Sequence, residues 1–164
     1  MSYFGNEYER RTLMNIEALY FQKYFYFKHL NQSSSEHRVT YWVKLSRDIE
    51  LHRLMYALLD VVQNQPVLRT QFVTDDFNQL KINLRDFFPF IEIKEVNEMS
   101  QSIDLEAFFT RNLNSYHFNQ LPLFNFKIYQ FLDEAYLLLD FHATIFNESQ
   151  LTPFLQQLNI AYTH

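Results

Sequence analysis

The chain has 164 residues, of which 48% are hydrophobic, so it is long enough for one domain with a packed core and too short for two. Its formal net charge of -5 argues against nucleic-acid binding, which requires a basic surface. The phosphate-binding loops of nucleotide sites need several glycines, and this chain has only Gly5. Because there is no cysteine, disulfides, thiolate nucleophiles and cysteine-based metal sites are excluded.

The N-terminal part of the chain predicts a helix, a loop and a strand. Apolar side chains at mainly helical spacing predict a first helix within residues 12–30. The polar run NQSSSEH at 31–37 is rich in Ser and Asn, which favour turns, and it predicts a loop. From 39 to 45, apolar residues alternate with the set Arg38, Thr40, Trp42 and Lys44, which predicts a strand with one buried face.

A second helix and a hairpin follow. Apolar residues three and four apart predict a helix with Asp48 as its N-cap and its end near Pro66. The apolar stripe consists of Leu51, Leu54, Met55, Leu58, Leu59 and Val62. Segments 67–73 and 79–84 flank a polar turn and predict two paired strands, and residues 90–96 predict another strand.

The remaining sequence predicts a helix and a buried hairpin. Residues 104–116 have helical periodicity, with Asp104 as a suitable N-cap. Residues 123–131 alternate as in a strand. After a turn, the run AYLLL at 135–139 is typical of a strand that is buried on both faces.

A last helix completes the predicted architecture. Thr152 resembles an N-cap with Pro153 in the first helical position, and the apolar face continues to Tyr162. The order of elements predicts an α+β fold in which helices cover one mixed, largely antiparallel sheet. We expect residues 1–164 to form one such unit.

Neither a secretory signal nor a membrane span is expected. The opening residues MSYFGNEYERR are charged and lack an apolar core. The longest apolar runs fall far short of the roughly 20 residues that a bilayer requires. Together with the lack of cysteine, these features favour a cytoplasmic protein.

Among the six histidines, His142 is the candidate for chemistry, because it follows a buried strand and precedes a helix. A neutral imidazole at that position can accept a proton near neutral pH, although a purely structural hydrogen-bonding role is the simpler interpretation. The other histidines lack metal-ligand spacing, so no metal is expected. The acidic pairs Asp75–Asp76 and Asp133–Glu134 are interpreted as solvated turns.

Three segments together resemble the N-terminal half of the condensation domains of nonribosomal peptide synthetases, which belong to the chloramphenicol acetyltransferase-like superfamily. IEALYFQKYFYF at 16–27 resembles the family's opening helix. DIELHRLMYALLDVVQNQPVLRTQF at 48–72 resembles a helix followed by the family's LRTxF strand. HFNQLPLFNFKIYQFLDEAYLLLDFHATIFNES at 117–149 resembles the PLFR segment, a hairpin and the HHxxxDG active-site loop.

The resemblance identifies a motif loop with several departures. It aligns His142 with the second, catalytically important histidine of HHxxxDG and places Phe141 at the first histidine. Phe146 then stands at the aspartate and Asn147 at the glycine, with Ser149 just beyond. Of the four motif residues, only His142 is kept.

The lost aspartate matters because in the family it pairs with an arginine, and here Arg69 is the expected arginine. A shift of one residue would place Asn147 at the aspartate position, but a neutral amide would still lack the charge. Asn125 also stands where the family commonly has the arginine of PLFR.

The resemblance implies amide formation between an acyl or peptidyl thioester on one carrier protein and an amine acceptor, as in antibiotic biosynthesis. His142 would act as a base or orient the amine. The substrates would arrive on phosphopantetheine arms, with no cofactor bound by the chain itself. The tunnel would need a second half or a second copy, as a homodimer.

Two alternatives stay open. The first is a catalytically silent relative that docks carrier proteins or synthetase modules. The second is an acyltransferase that uses acyl-CoA.

Overall fold

The computed structural model describes residues 21–30, 37–74, 80–84, 89–116, 122–142 and 145–164. The described strands are β1 Phe21–Leu30, β2 His37–Leu45, β3 Thr70–Thr74, β4 Leu80–Leu84, β5 Glu92–Glu95, β6 Phe124–Gln130 and β7 Ala135–His142. The described α-helices are α1 Leu51–Asn64, α2 Leu105–Arg111 and α3 Leu151–Thr163. Short 3-10 turns occupy Pro66–Arg69, Ser100–Ser102 and Glu148–Gln150.

Five of these strands form one sheet in the order β1-β2-β7-β6-β5. The pairs β1–β2, β2–β7 and β6–β7 are antiparallel, whereas β5 and β6 are parallel. Strands β3 and β4 form a separate hairpin. The predicted α+β fold with a mixed, largely antiparallel sheet is therefore confirmed.

The central strands β2 and β7 are buried on both faces. On one face, helices α1 and α3 pack through Leu58, Phe154 and Leu158 against alternate residues of the central strands. On the other face, Phe109 of α2 packs among the aromatic rings of Trp42, Tyr129 and Tyr136. Because β7 lies in the middle, nearly all its side chains are buried, as the AYLLL run predicts.

The predicted first helix is wrong for its second half. Residues 21–30 form strand β1, which pairs with β2 along its length. Its sequence, FQKYFYFKHL, is dense in aromatic residues that favour strands, and pairing with β2 outweighs the local helical spacing. Residues 12–20, and 31–36 of the predicted loop, lie outside the described residues.

The prediction of one buried face for β2 is also wrong. The second face carries Arg38, Thr40 and Trp42, and all three are buried. The reason is tertiary: β2 lies between β1 and β7, and the aromatic cluster around α2 covers its second face. Alternation in sequence therefore predicted the strand but underestimated its burial.

The predicted helix ends meet mixed outcomes. Asp104 does cap α2, since its side chain accepts from the backbone N–H of Ala107 at 3.3 Å. Asp48 does not cap α1, whose N-cap is Glu50 without a side-chain hydrogen bond. Likewise Thr152 lies inside α3, which begins one residue earlier with Gln150 as N-cap.

The other predicted boundaries hold with adjustments. Helix α1 ends before Pro66, and the β3–β4 hairpin, β5 and the β6–β7 hairpin all form. The start of segment 67–73 is a 3-10 turn rather than a strand. Helix α2 ends at Arg111, so residues 112–116 leave it, and Tyr116 turns to the sheet instead. None of the described helices is long and apolar enough to cross a membrane.

Candidate functional site

His142 is the last residue of β7 rather than the first residue after it. It lies opposite Arg38 of β2. Its backbone N–H donates to the carbonyl of Leu123 at 2.8 Å, and its carbonyl accepts from Ile145 at 3.1 Å. The half-buried side chain is therefore held at the strand end by a fixed backbone.

Beside it lies a buried polar network around Asp140, whose exposed fraction is 0%. Its carboxylate accepts from the Arg38 guanidinium at 3.1 Å, the Thr40 hydroxyl at 2.7 Å and the Tyr116 hydroxyl at 2.6 Å. Arg38 also donates to the carbonyl of Asn114 at 2.6 Å. The buried carboxylate is thus paired and hydrogen-bonded, as its burial requires.

Tyr116 connects this network to the candidate histidine. Its ring meets the imidazole of His142 edge to face, with the ring centroids 5.8 Å apart. The guanidinium of Arg38 lies 5.0 Å from the centre of the same Tyr116 ring. Tyr116 therefore contacts both the ion pair and His142.

Sequence reasoning missed Asp140, Arg38 and Tyr116 as parts of this site. The signal was present, because Asp140 interrupts the apolar run of β7 and a carboxylate there needs buried donors. Arg38 and Thr40, two apart in the neighbouring strand, share one face and supply such donors. Only the pairing of β2 with β7, which no local pattern reveals, brings them to Asp140.

The two phenylalanines of the motif loop contact each other. The rings of Phe141 and Phe146 are stacked, with centroids 3.7 Å apart and planes 6° apart. Phe154 of α3 packs its edge against both, at 5.5 and 6.1 Å. The ring centroids of Tyr41 and Phe146 are 6.4 Å apart. This part of the loop is apolar packing.

Asn147 and Ser149 make local hydrogen bonds within the same loop. The Asn147 side chain accepts from the backbone N–H of Ser149 at 3.1 Å and from its hydroxyl at 2.5 Å. Gln150 completes a capping box, because its side chain accepts from the Asn147 N–H at 2.8 Å. These polar groups fix the turn that leads into α3.

Arg69 lies in the 3-10 turn after α1. Its guanidinium donates to the carbonyl of Gln63 at 3.4 Å, so it binds the C-terminal end of that helix. Position 146, where the family has the aspartate that pairs with an arginine, is a phenylalanine in this chain.

A second polar cluster lies at the opposite end of β7, in the turn from β6. Glu134 pairs with Lys44 at 2.5 Å and accepts from the Tyr136 hydroxyl at 2.9 Å. Burial by itself raises the pKa of Glu134. The hydrogen bonds from Lys44 and Tyr136 lower that pKa by more than burial raises it, so the pKa lies below its usual value. Asp133 accepts from the N–H and the hydroxyl of Ser100, both at 2.7 Å. This cluster secures the hairpin turn.

The described residues contain no group of three or more His, Cys, Asp or Glu that could hold a metal ion.

Comparison with known proteins gives structural matches only. No protein-family model and no curated protein matches the chain. The starter condensation domain of the rhizomide synthetase RzmA is 15% identical, with a TM-score of 0.66 over 77% of this chain and 32% of that one. The protein SgcC5 from Streptomyces globisporus is 21% identical, with a TM-score of 0.65 over 76% and 29%.

The X-domain from teicoplanin biosynthesis is 17% identical, with a TM-score of 0.68 over 80% of this chain. At these identities the likeness shows the fold. The matched part spans only 29% to 32% of the three chains. The chain therefore has the fold of the nonribosomal peptide synthetase condensation domains, over about a third of the length of the matched structures.

Proposed function

We propose that the chain is a condensation-type subdomain that binds carrier proteins or neighbouring synthetase modules without forming amide bonds. The stacked pair of Phe141 and Phe146 is the observation that carries this proposal. In the resemblance, these two positions correspond to a histidine and to the aspartate that holds the active-site loop. Here both are buried apolar rings that contact each other.

The paired replacement explains how the loop keeps its shape without the motif's charge. Phe146 has Phe141, Phe154 and Tyr41 as ring neighbours, so its side chain is well accommodated. Asn147 then caps the turn in place of a motif glycine.

The proposed binding role rests on the fold. The matched solved structures include a condensation domain of a synthetase. A fold can be retained after the catalytic activity has been lost, because function depends on the site and not on the fold. A subdomain that keeps the shared architecture can keep contacts with carrier proteins after losing the reaction. We propose in the same way that carrier proteins or synthetase modules are the partners of the chain, and that a second half or a second copy of the chain completes the domain.

Amide formation by His142 is the second candidate function. It is favoured by the position of the half-buried imidazole at the end of β7, against Tyr116. An imidazole there can take the proton of an amine or orient it for attack. This candidate needs His142 to act without the first histidine and the aspartate of the motif.

Binding to carrier proteins tests the leading proposal. The full chain would be titrated with a phosphopantetheinylated carrier protein from a peptide synthetase, by isothermal titration calorimetry. We expect saturable binding with equal affinity for the unchanged chain and for His142→Ala. Absence of binding to carrier proteins and to a separately supplied C-terminal half would overturn the proposal.

A further inference from the structure

A cavity of about 460 Å³ lies between the start of β6 and the segment before β5. Its volume falls in the range of small-molecule sites, roughly 300 to 1,000 Å³. Six of its lining residues are apolar, and the other four are the polar residues Glu92, Asn114, Asn125 and Lys127. His142 does not line it, so this cavity is separate from the motif loop.

Asn125 carries an unmade hydrogen bond. Its side-chain oxygen is buried, and within the described part of the chain no donor reaches it. A buried acceptor without a partner costs stability, and it is satisfied when a donor from a ligand reaches it. Asn125 is also one of the residues that line the cavity.

Lys127 supplies the complementary donor. It lies two residues further along β6, on the same face of the strand. Its amine donates to the carbonyl of Asn112 and to the side-chain oxygen of Asn114, both at 3.2 Å. Since an ammonium has three N–H donors, one remains for a ligand acceptor.

The apolar part of the cavity wall includes a highly exposed aromatic ring. Phe90 is 87% exposed, which is unusual for so large an apolar side chain. An apolar ligand group placed on this ring would remove it from water. Glu92 and Lys127 place one negative and one positive charge on the lining of the same cavity, so the fitting ligand is neutral.

We propose that this cavity binds a small neutral molecule that carries a secondary amide beside an apolar group. The amide N–H donates to the Asn125 side-chain oxygen, and the amide carbonyl accepts from Lys127. The apolar group covers Phe90. One amide thus satisfies two polar groups that are two residues apart on one strand.

The test uses N-acetyl-L-phenylalanine methylamide as the probe and nuclear magnetic resonance shifts of the full ¹⁵N-labelled chain as the readout. We expect saturable shifts around Asn125 with a Kd of about 1 mM or tighter. Asn125→Leu and Lys127→Met should each weaken binding up to about tenfold, because each removes one hydrogen bond. Asn64→Leu, in a different cavity between α1 and α3, is the control and should not change the Kd.

Two results would overturn the proposal. One is the absence of saturable shifts at the cavity, and the other is an unchanged Kd in both Asn125→Leu and Lys127→Met. Thermal unfolding of each variant checks its fold, and Lys127→Met tests the site even where Asn125→Leu does not fold. Failure of carrier-protein binding leaves this site untouched, because the probe needs no carrier protein.

Discussion

The ring of Phe146 lies parallel to that of Phe141, with their centroids 3.7 Å apart. The two positions are five residues apart, one at the end of β7 and the other before the turn that leads to α3. Their contact joins the strand to the helix through apolar packing. A loop that the resemblance assigns to catalysis is held here by the packing of aromatic rings.

Restoring the motif's aspartate should destabilise the chain. Phe146→Asp places a carboxylate among the rings of Phe141 and Phe154, and we expect a loss of about 3 kcal/mol or more in the free energy of unfolding. Phe146→Leu, the matched apolar control, should lose about 1 to 2 kcal/mol. Urea denaturation measures both. Equal losses for the two variants would contradict this expectation and would show that a cationic side chain pairs with the new carboxylate.

The buried ion pair of Arg38 and Asp140 should be costly to break from one side. Asp140→Ala leaves the Arg38 guanidinium buried, and we expect a loss of about 3 to 5 kcal/mol. Arg38→Met combined with Asp140→Leu should lose much less than the sum of the single changes, because no charge is left unpaired. Lys44→Met, at the more exposed pair with Glu134, should lose about 1 kcal/mol or less.

Urea denaturation of these variants and of the double variant provides the measurement. Additive losses for Arg38→Met and Asp140→Leu would contradict a direct coupling between the two side chains.

Acid should weaken the hairpin end of the sheet through Glu134. Its folded pKa lies below the usual 4.5, so its contribution to stability is present above that pH. The contribution is lost as pH falls below 4.5 and through the folded pKa. Glu134→Gln should therefore show a smaller drop in unfolding free energy between about pH 5 and pH 3. An identical pH profile for the variant would exclude this contribution.

The fold was largely predictable from the sequence because its long elements have strong periodicity. The helix with Leu54 and Leu58 on one face, and the apolar run of β7, needed no tertiary information. The failures arise where tertiary contacts decide. Residues 21–30 form a strand only because β2 is available to pair with them. Helix α2 ends at Arg111, and Tyr116, five residues further on, donates to Asp140 of the sheet instead of continuing the helix.

The candidate site was predictable only in part. The resemblance led to His142 and to the positions of Phe141 and Phe146, but it gave no sign that the two rings stack. Two of the partners of Asp140, Arg38 and Thr40, lie 102 and 100 positions earlier in the chain. They reach Asp140 only because β2 is the neighbour of β7 in the sheet. The prediction of Arg69 as a partner for the loop stays untested.

The amount of amide product formed is the measurement that tests the central claim most directly. The full chain would be combined with a C-terminal condensation half, an acyl-loaded carrier protein and an aminoacyl-loaded one, and the product quantified by mass spectrometry. An intact condensation domain serves as the positive control. We predict no product above the uncatalysed background, both for the unchanged chain and for His142→Ala. Amide formation by the unchanged chain that His142→Ala abolishes would contradict the account and assign catalysis to His142.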